Sequence, residues 1–143
     1  MDFSLSQEQR MFRETVYRYG RDEIAPLCEE ADLKGEFSFE IWRKLASFGI
    51  LGLPLPEELG GSAASILNCC LAGEALGHAG VDGGSLLAWG AHTYLCAHNI
   101  YAFGTRTKNG SMPRSLHRAN GSDAWASPSR VPDLMPPPFR PQR

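Results

Sequence analysis

The sequence predicts an all-α fold: a helical domain of about four to five helices in residues 1–104, followed by an irregular tail in residues 105–143 that is rich in Pro, Arg and Ser. Three observations lead to this prediction. Apolar residues recur at spacings of three and four, which is the period of an amphipathic helix. Capping residues and glycines stand where such helices would begin and end. No stretch before Gly104 shows the alternation that is typical of a strand.

The first helix is predicted to begin at a capping box, in which Ser6 and Gln9 satisfy each other's backbone amides. Its apolar face then comprises Phe12, Val16 and Tyr19. Pro26 removes a backbone donor, so it either kinks this helix or starts a new one. Gly35 is predicted to end the helix, because glycine accepts the left-handed conformation that closes many helices.

Three further helices are predicted. Ser38 caps a short one that ends at Gly49, and the stretch GILGLPLPEELGGS after it reads as an ordered loop. The next helix covers about 63–79. The last covers about 85–103 and is apolar nearly all round, which predicts that it is buried.

Composition excludes several classes of function. With 143 residues and a net charge of -2, the chain offers no electrostatic basis for binding nucleic acid or an anionic membrane. No apolar run approaches the roughly 20 residues of a membrane span, and the N-terminus has no secretory pattern, so a cytoplasmic location is expected. The four cysteines form no C-x-x-C pair and are predicted to be small buried hydrophobes: Cys28, Cys69, Cys70 and Cys96.

Three other patterns suggest chemistry only weakly. His92 and Cys96 stand one helical turn apart, but no third ligand has suitable spacing, so no metal site is predicted. The neighbouring carboxylates at 57–58 diverge in direction, which favours an exposed loop. Gly60 and Gly61 lack the lysine and the preceding strand of a phosphate-binding loop, and are expected to shape a turn.

The first 104 residues resemble the N-terminal helical domain of the acyl-CoA dehydrogenases. The resemblance rests on an ordered series of motifs: F-S-L-S-Q-E-Q-R, R-D-E-I-A-P-L, W-R-K-L-A-S-F-G-I-L-G-L-P-L-P-E-E-L-G-G, A-G-E-A-L-G-H and G-A-H-T-Y-L-C-A-H-N-I-Y-A-F-G. It implies an FAD-dependent enzyme that desaturates acyl-CoA thioesters and passes electrons to an electron-transfer flavoprotein. It also implies a homotetramer for the full-length protein.

In this family the catalytic glutamate lies in a C-terminal domain, and a T-E-P-x-A-G-S-D segment contacts flavin and substrate. Neither has a counterpart in this reading frame, so no catalytic and no cofactor-binding residue is predicted here, and the chain alone is expected to be inactive. The resemblance instead implies that the last helix walls the acyl-chain cavity. The candidate wall residues are Leu86, Ala88, Trp89 and Thr93, although Trp89 suits the domain's own core equally well.

The pattern ends abruptly after Gly104. The genetic code allows codons for this tail that, when read from the third base of the Gly104 codon, spell family motifs instead. Residues 104–107 can then encode N-E-D, and the stretch between Ser122 and Met135 can encode T-E-P-G-A-G-S-D. The tail is therefore predicted to be a frameshifted reading of an acyl-CoA dehydrogenase gene. Sequencing the gene around codon 104 tests this: codons that cannot spell the motif in the alternate frame would refute it.

Two function classes remain open from the sequence. One is an oxidoreductase of which this chain is the first domain, and the other is a non-catalytic helical remnant or interaction module.

Overall fold

The computed structural model describes residues 4–104; the predicted tail at 105–143 lies outside the described residues. Within 4–104 the chain forms helices and no strand, which confirms the all-α prediction. The α-helices are α1 (Gln7–Tyr19), α2 (Ala25–Lys34), α3 (Phe39–Ser47), α4 (Ile66–His78), α5 (Gly83–Gly90) and α6 (Asn99–Phe103).

The first two helices form one continuous rod. Ser6 and Gln9 make the predicted capping box at its start, with hydrogen bonds of 2.9 and 3.1 Å. A π-helical turn at Gly20–Ile24 joins α1 to α2. Pro26 stands at the beginning of α2, which confirms the second of its two predicted roles. Gly35, with a φ of 63°, ends the rod as expected.

The boundaries of α3 match the prediction and those of α4 differ. Ser38 caps α3 through the amide of Ile41, and Gly49 follows with a φ of 86°. Helix α4 begins at Ile66 rather than near Ala63, because Ser65 caps it. Ala63 itself has a φ of 48°, which a right-handed helix cannot contain.

The last helical rod runs from Gly83 to Phe103, with a π-helical stretch at Ala91–His98 between α5 and α6. The core lies between the rods and under the loop that follows α3. Its largest fully buried side chains include Ile24, Ile41, Leu45, Ile50, Leu51 and Leu76. Such burial of aliphatic side chains is the main source of stability in a domain of this size.

Helices α1 and α4 pack where the rod passes Gly20. A Cβ built on Gly20 would lie 2.9 Å from the Cβ of Ala79 and 3.1 Å from Cδ2 of Leu76. We expect Gly20→Ala to lower the free energy of unfolding by about 1–2 kcal/mol, because the helices must separate. Urea denaturation of the chain measures this. In the control Gly90→Ala, where the new Cβ meets nothing within 4 Å, stability should be unchanged or raised.

Candidate functional site

The loop between α3 and α4 is ordered by its own backbone. It contains 3₁₀ turns at Ile50–Gly52 and Glu57–Leu59. The amides of Ala63 and Ala64 donate to the carbonyls of Leu55 and Leu53, at 2.8 and 2.9 Å, which closes the loop on itself. This confirms the predicted ordered loop.

Two side chains of the last rod hold the start of this loop. The indole Nε1 of Trp89 donates to the carbonyl of Ile50 at 3.0 Å, and the hydroxyl of Thr93 donates to the carbonyl of Leu51 at 3.2 Å. Both side chains are buried, Thr93 completely. Buried carbonyls require a partner. The carbonyl of Ile50 also accepts from the amide of Leu53 at 3.4 Å, and the indole adds a second, shorter hydrogen bond.

The four candidate wall residues therefore take two positions. Trp89 and Thr93 face the interior of the domain, while Leu86 and Ala88 are partly buried and pack against the edge of the core. Leu86 lies beside α4, where its Cδ1 would be 3.7 Å from a Cβ built on Gly77. The backbone acceptors of the loop, which Trp89 and Thr93 bind, have no signature in the sequence and were not predicted.

One face of the last rod is uncovered among the described residues. Leu87 and Leu95 are each 74% exposed and Phe103 is 86% exposed. Among residues 4–104, the prediction that this apolar helix is buried holds for one side only. Periodicity identifies an apolar surface but not what covers it, and residues 4–104 provide packing partners on one side only.

Burial is the main cause of the pKa shifts of the tyrosine and cysteine side chains in and near the last rod. Burial raises the pKa of Tyr94, and its hydrogen bond with Cys69 adds to this effect. Burial also raises the pKa of the Cys69 and Cys96 thiols, which disfavours the reactive thiolate. The expectation of buried cysteines holds for Cys28 and Cys69 but is wrong for Cys70, which is exposed because it lies on the outer face of α4.

The residues of the weaker motifs lie partly in the core and partly on the loop. The ring of His92 is buried edge-on against Trp42, with 5.2 Å between ring centroids. Across residues 4–104, no three His, Cys, Asp or Glu side chains are grouped to hold a metal ion. Glu57 and Glu58 are exposed on the loop, and Gly60 has the positive φ of a turn.

Asp82 starts the last rod, and its cap gives a pH-dependent prediction. Its Oδ1 accepts from the amide of Ser85 at 2.8 Å. Burial acts to raise the pKa of this carboxyl, but hydrogen bonds from Ser85, Cys28 and the amide of Gly84 together outweigh it, and the pKa lies below its ordinary value. The ionised carboxylate of Asp82 therefore stabilises the folded state fully at pH values above its pKa in the unfolded chain, which is about 4. This stabilisation is lost as the pH falls through the lower pKa of the folded state.

In Asp82→Asn the cap acceptor remains but does not titrate. As the pH falls from about 5 to about 2, we expect the free energy of unfolding of the parent chain to decrease by up to about 1 kcal/mol relative to that of the variant. Denaturant titrations across that range measure the difference. A pH-independent difference would contradict the assignment.

This arrangement defines a class of small helical domain, in which the last helix fixes an ordered loop from behind and leaves an apolar face outward. Residues 6–114 match the model of the acyl-CoA dehydrogenase N-terminal domain. The chain belongs to the acyl-CoA dehydrogenase family. No helix of residues 4–104 combines the length and the hydropathy that crossing a bilayer requires.

Relatives and solved structures agree with this assignment. The chain is similar to a probable acyl-CoA dehydrogenase, YngJ, of Bacillus subtilis, with 36% identity over 135 residues, covering 93% of this chain and 35% of the relative. It is 34% identical to the mitochondrial isovaleryl-CoA dehydrogenase of Bos taurus, covering 92% of this chain and 31% of that protein. The chain thus spans about a third of the length of these relatives.

Two structures share the fold. Butyryl-CoA dehydrogenase from Megasphaera elsdenii superposes with a TM-score of 0.73 and 32% identity, over 84% of this chain and 32% of that one. PigA with FAD and proline superposes with a TM-score of 0.79 and 30% identity, over 84% of this chain and 31% of that one.

Proposed function

We propose that this chain is the first domain of an FAD-dependent acyl-CoA dehydrogenase that desaturates the α,β bond of an acyl-CoA thioester. The observation that carries this proposal is the match of residues 6–114 to the N-terminal domain of that family. In the full-length protein we expect electrons to pass to an electron-transfer flavoprotein, and we expect a homotetramer.

The glycine pair at positions 60 and 61 does not fit a flavin phosphate site. The Gly60–Gly61 turn is the one place that resembles a phosphate loop, yet a Cβ on Gly61 would lie 2.0 Å from the carbonyl oxygen of Leu55 and 2.5 Å from that of Gly52. Acceptor oxygens, and not amide donors, therefore crowd this turn, and an anion would be repelled.

The proposed contribution of this domain is one wall of the acyl-chain pocket. Leu86 and Ala88 present aliphatic carbon at the edge of the core, which suits an acyl chain and no charged group. Trp89 and Thr93 are positioning residues, because their hydrogen bonds hold the last rod against the loop between α3 and α4. Leu87 and Leu95, on the uncovered face, are expected to pack against other parts of the full-length protein.

A chimeric enzyme tests the proposal directly. Residues 4–104 of this chain replace the matching segment of the Bacillus relative, and flavin content and acyl-CoA-dependent flavin reduction are measured. We expect a yellow protein that is reduced by acyl-CoA. A chimera that folds and binds flavin but is not reduced, while the parent relative is, would favour the non-catalytic alternative.

The chimera also tests the wall residues. We expect Leu86→Ala to widen the pocket and change the ratio of kcat/KM between branched and straight acyl chains by about tenfold, which corresponds to roughly 1–2 kcal/mol. Leu87→Ala is the matched control, because Leu87 is adjacent but points outward, and should leave the ratio unchanged. A shift in the control and none in Leu86→Ala would refute the placement of the wall.

For the 143-residue polypeptide itself, we expect a colourless protein without dehydrogenase activity. Absorbance spectroscopy after purification measures bound flavin. A yellow product that desaturates an acyl-CoA would contradict this expectation.

A further inference from the structure

A small surface depression lies where α2 ends and α3 begins, and none of its lining residues belongs to the candidate wall. Its volume is about 190 Å³. Apolar groups form part of its lining, contributed by Leu27, Ala31 and Phe37. Three acidic side chains, Glu30, Glu36 and Glu40, line it as well, together with Lys34 and Ser38.

Contacts within the domain position the aromatic side chain of this depression. The ring of Phe37 packs edge-on against Phe39, with 5.3 Å between centroids, and lies 6.0 Å from the ring of Trp42. Trp42 is buried in the core, so it anchors the pair. Phe37 and Phe39 nevertheless remain 46% and 49% exposed. Rigid, exposed aromatic side chains are the groups that most often anchor protein interfaces.

The charge around the aromatic pair is negative. The ammonium group of Lys34, the cation in this lining, is 2.6 Å from the carboxylate of Glu30 and is therefore neutralised locally. Glu36 and Glu40 remain as acceptors on either side of Phe37 in the sequence. This pattern favours a cationic protein over a lipid surface, since acidic groups are repelled by anionic headgroups.

We propose that this depression binds a segment of a partner protein in which one large apolar side chain is flanked by Lys or Arg. The apolar side chain fills the depression against Phe37, and the flanking cations pair with Glu36 and Glu40. Surface ion pairs are screened by salt, so the charge contributes mainly to rate and selectivity, and the apolar contact provides the anchor.

A peptide titration tests this proposal. The probe is a nine-residue peptide with one leucine between two lysine pairs, and its control carries glutamate in place of lysine. The full 143-residue chain, labelled with ¹⁵N, is titrated with each. We expect the amides of Phe37 and Ser38 to shift with the lysine peptide alone, and affinity to fall about tenfold between low and high salt.

Variants separate the two contributions. Phe37→Ser should abolish binding, and the double variant Glu36→Lys with Glu40→Lys should weaken it and allow the glutamate peptide to bind. Leu95→Ser is the control, because it removes an exposed apolar side chain from a different part of the surface, the last rod, where Leu95 is 74% exposed. It should bind the lysine peptide like the parent, and circular dichroism verifies that each variant is folded.

Three outcomes would overturn the proposal: no binding by the parent, equal binding of both peptides, or unchanged binding by Phe37→Ser. A fourth concerns the chain itself. If salt alone shifts the Phe37 and Ser38 amides without peptide, and added peptide does not shift them further, the basic segment after Gly104 occupies the depression, and the partner proposal is wrong.

Discussion

Replacing Trp89 by alanine will lower the free energy of unfolding by about 3–5 kcal/mol, the range for truncating a buried tryptophan. The indole is 4% exposed, and its ring contacts α4, where it would lie 3.2 Å from a Cβ on Gly73. Its removal leaves a cavity between α4 and the last rod and also removes the shorter of the two hydrogen bonds that the carbonyl of Ile50 accepts. Urea denaturation followed by circular dichroism measures the loss.

Trp89→Phe divides this effect into its parts. Phenylalanine keeps most of the buried ring but cannot donate a hydrogen bond, so we expect a smaller loss of about 1–3 kcal/mol from the missing indole hydrogen bond and the smaller ring. Amide exchange in the Ile50–Ala64 loop should accelerate in this variant, if the indole fixes the loop. Unchanged exchange there would show that the loop is held without Trp89.

Gly61→Ala will be the most disruptive of the glycine substitutions considered, with an expected loss of about 3 kcal/mol. The added Cβ would overlap the carbonyl oxygens of Leu55 and Gly52, at 2.0 and 2.5 Å, and backbone atoms cannot rotate away as a side chain does. The loop must therefore open, which releases the closing hydrogen bonds of Ala63 and Ala64. Thermal and urea denaturation measure the result.

Gly83→Ala is the matched control for this substitution. An added Cβ at Gly83 meets nothing within 4 Å, and the residue is the first of α5. Its stability should equal or slightly exceed that of the parent, because alanine restricts the unfolded chain. A similar loss in both variants would mean that the crowding at Gly61 is not the cause.

Much of the local structure follows from short-range chemistry. The capping box of Ser6, the cap at Ser38 and the terminating glycines at positions 35 and 49 depend on residues within five positions of one another, and all were predicted correctly. Ser65 shows the limit of this approach. Helix α4 begins three residues after the predicted boundary, because Ser65 is its N-cap. Several neighbouring residues can serve as an N-cap, so the sequence alone does not fix which one does.

The candidate site shows a different limit. The resemblance singled out Leu86, Ala88, Trp89 and Thr93 as one group, yet the structure separates them into an edge pair and a buried pair. The acceptors of the buried pair are carbonyls 39 and 42 positions earlier in the chain. Every residue carries a carbonyl, so no sequence pattern marks which ones need a partner.

The sequence by itself determined the helical class, most of the helix ends and the family, because caps, apolar spacing and ordered motifs are local properties of the chain. Only the tertiary structure decided which apolar side chains are covered. Leu87 and Trp89 are two residues apart on the same helix, yet one is 74% exposed and the other 4%. The difference arises because burial depends on which elements pack together, and that is settled by contacts between distant parts of the chain.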